Sequence, residues 1–168
     1  MTTATALAAG RHTLVAQRCT VRFVARGLGL AVPGEISVHS GEVEVDDTGA
    51  VVSAELDAAS FRTRSARRDR DVRSPRFLDV ERMPRILVSG RWDGPGTPLH
   101  AGLTVKEVTA PVEIVIVDGD RTPGGAVVHA RGRVDRRAYP VGPVRGPIGR
   151  WVDVEMRIVL LPSVLPPS

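Results

Sequence analysis

The chain has 168 residues, 42% hydrophobic and 25% charged, a balance that excludes global disorder and fits one folded domain. No apolar run approaches the roughly 20 residues of a membrane helix, and the single cysteine, Cys19, excludes an intrachain disulfide and a multi-cysteine zinc site. The formal net charge is +4, and Lys106 is the only lysine among 23 basic residues; such a surface attracts polyanions weakly and decides no partner by itself.

The first ten residues are small and lack the charged start and apolar core of a secretion signal. They read as a loose leader, and the protein is expected in the cytoplasm. Period-two alternation then begins. In 19–25, Cys19, Val21, Phe23 and Ala25 share one face against Thr20, Arg22 and Arg26. Between Ile36/Val38 and Val43/Val45 the apolar parity flips at Ser40-Gly41, where a β-bulge restores the face. Asp46-Asp47-Thr48-Gly49 reads as a turn, after which Val52, Ala54, Leu56 and Ala58 alternate with polar neighbours.

The segment 62–76 breaks the pattern. It holds seven arginines; Ser65 is a cap for a short helix reaching about Arg73, and Pro75 ends it. Ile86, Val88 and Trp92 then face away from Arg85, Leu87, Ser89 and Arg91, before a turn at Asp93-Gly94-Pro95-Gly96. Val112–Val117 is apolar on both faces apart from Glu113, so its second face is expected to be covered. Further turns are expected at Asp118-Gly119-Asp120 and Pro123-Gly124-Gly125. Val128, Ala130, Gly132 and Val134 form one more face, and Val152, Val154, Met156 and Ile158 the last.

Eight or so strands with short connections and one helical insertion predict an all-β fold, a closed antiparallel barrel in which no edge is left unpaired. The inward faces are mostly Val, Ala and Gly, with Phe23, Leu56 and Met156 as larger members. Two readings follow: a lumen that stays partly empty and takes an apolar ligand, or a flattened sandwich whose small-residue faces meet.

Catalytic chemistry finds little support. His12, His39, His100 and His129 are scattered, without the spacing of a metal site or a neighbouring carboxylate. Cys19 sits on an apolar face, where a small hydrophobe is the default. Asp69 and Asp71 lie among Arg67, Arg68 and Arg73, so ion pairing is the simplest account of them. The arginine-rich segment could grip phosphate, which leaves an anion- or nucleic-acid-binding module as the alternative function. Phe77 is its only nearby aromatic, against the stacking platforms of nucleic-acid binders.

One constellation is more specific. Leu56-Asp-Ala-Ala-Ser60 is followed by Thr63, Arg68-Asp69, Arg73-Ser74, Phe77, Asp79-Val80, Pro84, Ile86 and Ser89. Gly102-Leu-Thr-Val, Val108-Thr109, Pro111-Val112, Asp135-Arg136, Gly142 and Val152 come downstream, with Val21, Phe23 and Gly34 upstream. In this order and spacing the chain resembles the YceI-like family of lipocalin-like polyisoprenoid-binding proteins, over about residues 11–161. The resemblance implies one extended eight-stranded barrel domain between the leader and a flexible tail at 162–168. It implies a tunnel holding an isoprenoid chain, such as a polyprenyl lipid or quinone tail; with the residue reading above, no catalysis, no metal and no other cofactor are expected. Tunnel-lining residues are then Val21, Phe23, Leu56, Phe77, Ile86, Val88, Val128, Val154, Met156 and Ile158. Arg68, Asp69 and Arg73 serve either as a structural clamp or as head-group contacts. No specific nucleic acid and no membrane insertion are expected, and a homodimer is compatible with the resemblance. Asp71-Val72 stands where the family usually has His-Leu, Leu78 where a second Phe follows the first, and His39 where an aromatic precedes the Gly41 turn.

Overall fold

The computed structural model describes residues 7–143 and 148–163. Most of the expected leader and tail, residues 1–6 and 164–168, lies outside the described residues. Nine strands are described: β1 (Gly10–Leu14), β2 (Thr20–Gly27), β3 (Leu30–Asp46), β4 (Gly49–Arg62), β5 (Arg85–Trp92), β6 (Leu99–Val105), β7 (Val108–Thr122), β8 (Gly125–Asp135) and β9 (Ile148–Pro162). Each neighbouring pair is antiparallel, and the ladder runs β3-β2-β9-β8-β7-β6-β5-β4 before β4 returns to β3. That closes an eight-stranded barrel. β1 lies in line with β2, separated from it by the 3-10 turn Ala16–Arg18, and pairs with the same neighbours, β3 and β9. Closure gives the backbone groups of these strands partners around the ring.

The expected parity flip in β3 is a register shift against β4 between Val38 and Ser40, and Ile36, Val38 and Val43 are all buried. The inserted residue turns the pleat by half a period, so both halves of a 17-residue strand present apolar residues inward. The Asp46 turn closes β3 onto β4: Asp46 Oδ1 accepts the N–H groups of Thr48 at 2.8 Å and Gly49 at 2.9 Å. These bonds, with the Thr48 hydroxyl foremost, hold the Asp46 carboxyl below the usual carboxylate range. The helix α1 (Ala66–Arg73) begins where Ser65 accepts the Arg68 N–H at 3.2 Å.

Two expectations fail. Asp118-Gly119-Asp120 is not a turn but part of β7, pairing with His129, Val128 and Val127 of β8. A register shift between Ile116 and Asp118 absorbs the irregularity, and the chain reverses only at Pro123-Gly124. Pairing in the ring satisfies the backbone there, which overrides the local turn chemistry. Nor is the second face of Val112–Val117 covered: Val115 is 45% and Val117 54% exposed. Among the described residues nothing covers Val115 and Val117 outside the barrel, and valine there suits strand geometry.

Cys19 is buried and lies against β9, with Sγ 3.4 Å from the Val159 N–H that it accepts. Burial pushes its thiol pKa up, so little thiolate forms near the ordinary thiol pKa of about 8.5. A thiol-specific reagent near that pH is expected to label the native protein only at the rate of unfolding, and the denatured chain at once. Rapid labelling of native protein would show the β1–β2 break to be open.

Candidate functional site

The barrel encloses a cavity of about 870 Å³, at the upper end of the range for ligand pockets. Cross-strand register builds its wall in matched pairs: Val21 stands opposite Met156 and Phe23 opposite Val154. Val128 faces Ile158, Leu56 faces Ile86, and Val88 sits between Ala54 and Leu103. Each borders the cavity, as does Phe77 from the loop after α1. The Phe23 and Phe61 rings stack with centroids 5.0 Å apart. Leu14, Ala50 and Leu160, all buried, line one end of the cavity. The expectation of small inward side chains thus resolves as an open lumen, not as two meeting faces.

The polar residues that border the cavity gather toward the other end. Thr63, Arg68, Asp71, Ser74 and Arg76 come from the segment after β4, Arg26 from the end of β2, and Arg133 and Arg136 from the end of β8. The structure separates the roles of the arginine-rich segment. Asp69 is buried and accepts both the Thr63 N–H at 2.8 Å and the Thr63 hydroxyl at 2.7 Å. Arg73 turns back to donate to the Phe61 carbonyl from Nε at 3.1 Å and Nη2 at 2.5 Å. Both tie α1 to the end of β4. The Arg68 guanidinium, by contrast, donates to the Thr63 hydroxyl, at 3.3 Å, and remains exposed on the cavity border. The expected ion pairs of Asp69 and Asp71 with Arg67, Arg68 and Arg73 do not form among the described residues. The Thr63 backbone and hydroxyl take the Asp69 carboxylate instead.

β7 and β8 pair only from Ile114/Gly132 to Thr122/Gly125. Past that point, toward the polar end, the segment after β8 packs against the wall. Tyr139 is buried and its hydroxyl donates to the Leu103 carbonyl at 2.9 Å; burial raises the phenol pKa. Arg136, also buried, donates to the carbonyls of Val141, Pro143, Ile148 and Gly149 at 2.9–3.2 Å. Burial pushes its guanidinium below its ordinary pKa, with Arg137 acting the same way and Asp135 opposing. Lys106 Nζ joins the two mouth segments, donating to Pro75 O and Pro140 O at 3.0 Å each.

Sequence reading gave no role to Tyr139 or Lys106, and took Arg136 only as part of a resemblance. Their partners are backbone carbonyls, which carry no sequence signal. The one readable cue is Asp135, whose carboxylate caps the 3-10 turn Arg136–Ala138 by accepting from Arg137 N at 3.0 Å. Two histidines do find carboxylates, against expectation: His129 Nδ1 lies 2.6 Å from Asp118 Oδ1, and His100 Nδ1 3.7 Å from Glu113 Oε1. Cross-strand register joins residues that sequence spacing keeps apart. Both pairs lie on the outer face, opposite in parity to Val128 and Leu99, and do not border the cavity.

Replacing Asp69 by Ala removes two bonds to a charged acceptor and is expected to cost about 1.5–3 kcal/mol in chemical denaturation. An unchanged midpoint would show that α1 is held by other contacts. Gly142 sits at φ +72°, and a Cβ there would stand 2.6 Å from the Phe77 ring. Gly142→Ala is therefore expected to lower stability by about 1–3 kcal/mol, read as a drop in Tm; no drop would show the Phe77 contact to be loose.

The sequence matches the YceI-like domain family over residues 12–160. It is 29% identical over 111 residues to a UPF0312 protein of Enterobacter sp. (strain 638), covering 61% of this chain and 58% of the length of that relative. Among solved structures, BcnA of Burkholderia cenocepacia superposes with a TM-score of 0.70 at 16% identity, covering 85% of this chain and 96% of its own. A polyisoprenoid-binding domain from Saccharophagus degradans, implicated in plant cell wall breakdown, gives 0.67 at 13% identity over 90% and 98%. The YceI protein of Campylobacter jejuni gives 0.52 at 12% identity over 71% and 79%. At these identities the structural likeness speaks for the fold. The family match runs from β1 to β9 through every strand of the ring, and the chain belongs to the YceI-like domain family.

Proposed function

We propose that the protein binds an isoprenoid-type lipid, a polyprenyl chain or quinone tail, and carries or sequesters it without reacting with it. The observation that carries this reading is the lumen: about 870 Å³ bordered almost wholly by aliphatic and aromatic side chains, with its polar residues toward one end. Such a space repels water, because a buried water needs two or more polar partners. A hydrocarbon chain entering it contributes about 0.8 kcal/mol per methylene removed from water. Several isoprene units would therefore bind without a polar contact, and the polar mouth would receive whatever head group the chain carries, with Arg68 and Arg76 as its contacts. The structural neighbour from Saccharophagus degradans, described as a polyisoprenoid-binding domain, supports the ligand class.

The test places bulk in the lumen. Ala54 and Ala130 both border the cavity from the wall. In a filled core an added ring costs about 1–3 kcal/mol by overpacking. Here Ala54→Phe and Ala130→Phe are expected to melt close to wild type when delipidated, and to lose most of the uptake of a fluorescent prenyl probe. Mass spectrometry of organic extracts from wild-type protein should find an isoprenoid. Strong destabilisation of both variants, together with a wild type that yields no lipid and takes up no probe, would overturn the reading.

A further inference from the structure

We propose that the tip of the β2–β3 hairpin, Leu28-Gly29-Leu30, docks the mouth of the barrel onto an anionic lipid bilayer. Gly27 pairs with Leu30, so the chain reverses over two residues. Leu28 has φ +51° and Gly29 φ +76°, the primed turn that matches strand twist and favours Asn or Asp before Gly. A bulky residue in the left-handed region is an outlier, so the turn itself does not call for leucine at position 28. Neither does the core. Leu28 is 84% and Leu30 68% exposed, the most exposed large hydrophobic side chains among the described residues.

The tip stands at the mouth. Arg26, Gly27 and Val32, its immediate neighbours, border the cavity together with Arg68 and Arg76. β3 has no β4 partner beyond Glu35↔Arg62, so at about 3.3 Å per residue the hairpin runs on by roughly 16 Å from that pair to Leu30. The surrounding charge is cationic. Arg26, Arg64, Arg67 and Arg76 make no ion pair among the described residues. Among the described residues that border the cavity Asp71 is the carboxylate; Glu35 on the hairpin is taken by Arg62, and Asp69 by Thr63.

Exposed leucines beside unpaired arginines are the composition of an interfacial anchor, apolar tip in the acyl boundary and cations on acidic headgroups. A second copy of the chain would set arginine against arginine, and a polyanion such as nucleic acid gives the leucines nothing to bury against. Among the described residues no helix is long and apolar enough to span a membrane; the contact proposed is peripheral, made by the hairpin tip. It extends the carrier reading by placing the tunnel entrance where a membrane lipid could enter, but it rests on the hairpin and its charge.

The experiment is co-sedimentation with phosphatidylcholine vesicles, pure or mixed with phosphatidylglycerol, on wild type and on the double variant Leu28→Asn with Leu30→Thr. Asn-Gly is a preferred pair for this turn, so the variant should melt at or above the wild-type temperature. Wild type should bind the mixed vesicles, weakening as salt rises, and the variant should bind at least tenfold more weakly, as expected when leucine is withheld from lipid. Uptake of a prenyl probe from solution should be equal in both. Absent or charge-independent wild-type binding, or equal binding by the variant, overturns the docking proposal. So does a leucine-dependent dimer in sedimentation. Normal probe uptake in those cases leaves the carrier reading standing; vesicle binding without probe uptake supports docking and removes the carrier reading alone.

Discussion

Closure of the sheet is the constraint on which the rest of this structure depends. Once β3 pairs with β2 on one side and β4 on the other, strand number sets the girth of the ring. Side chains inside can then only fill what the ring leaves. Eight strands enclose a space that large residues fill and small ones do not. Here the inward register presents Ala54 to Val88, Ala130 to Met156 and Gly132 to Val154. A flat pair of sheets could approach until such faces met. A closed barrel cannot, and the volume stays open.

The same closure forces an asymmetry between the ends. At one, buried apolar residues such as Leu14 and Leu160 line the cavity. At the other, β7 and β8 part company, and chain that is not strand must seal the wall. Irregular backbone has carbonyls without ladder partners, and these need donors. Arg136 and Lys106 supply them at Val141, Pro143, Pro75 and Pro140, while Arg73 and Tyr139 tie the same segments to strand carbonyls of β4 and β6. The planar guanidinium carries several donors in fixed directions, which suits Arg136 among four carbonyls.

The arginines therefore divide by environment, although in sequence they look alike. Arg62 pairs with Glu35 on the outer wall. Arg73 anchors the helix, Arg136 the closing loop, and Arg68 and Arg76 remain exposed at the cavity border. A basic segment that reads as one patch is several local solutions to different problems. The rim that results is cationic at the place where an apolar lumen meets its surroundings, and the exposed leucine hairpin belongs to that same rim.

What the sequence by itself determined is what has a short period or a local partner. Strand parity placed Val21, Phe23, Ile86, Val128, Val154 and Met156 on inward faces, because a pleat alternates whatever it pairs with. The flip at Ser40 marked the bulge, and Ser65 marked the start of α1. The order of residues from Val21 to Val152 carried the family. Tertiary structure alone decided the rest. Whether the lumen was open depended on ring closure, a property of β3 meeting β4 and β2 at once. Pairing with β8 turned Asp118-Gly119-Asp120 from a turn into strand. The partners of Asp69, Arg136 and Tyr139 lie on backbone or on residues brought near by folding, and a carbonyl oxygen is the same at every position of a sequence. Only the fold decides which carbonyls are left for a side chain to satisfy.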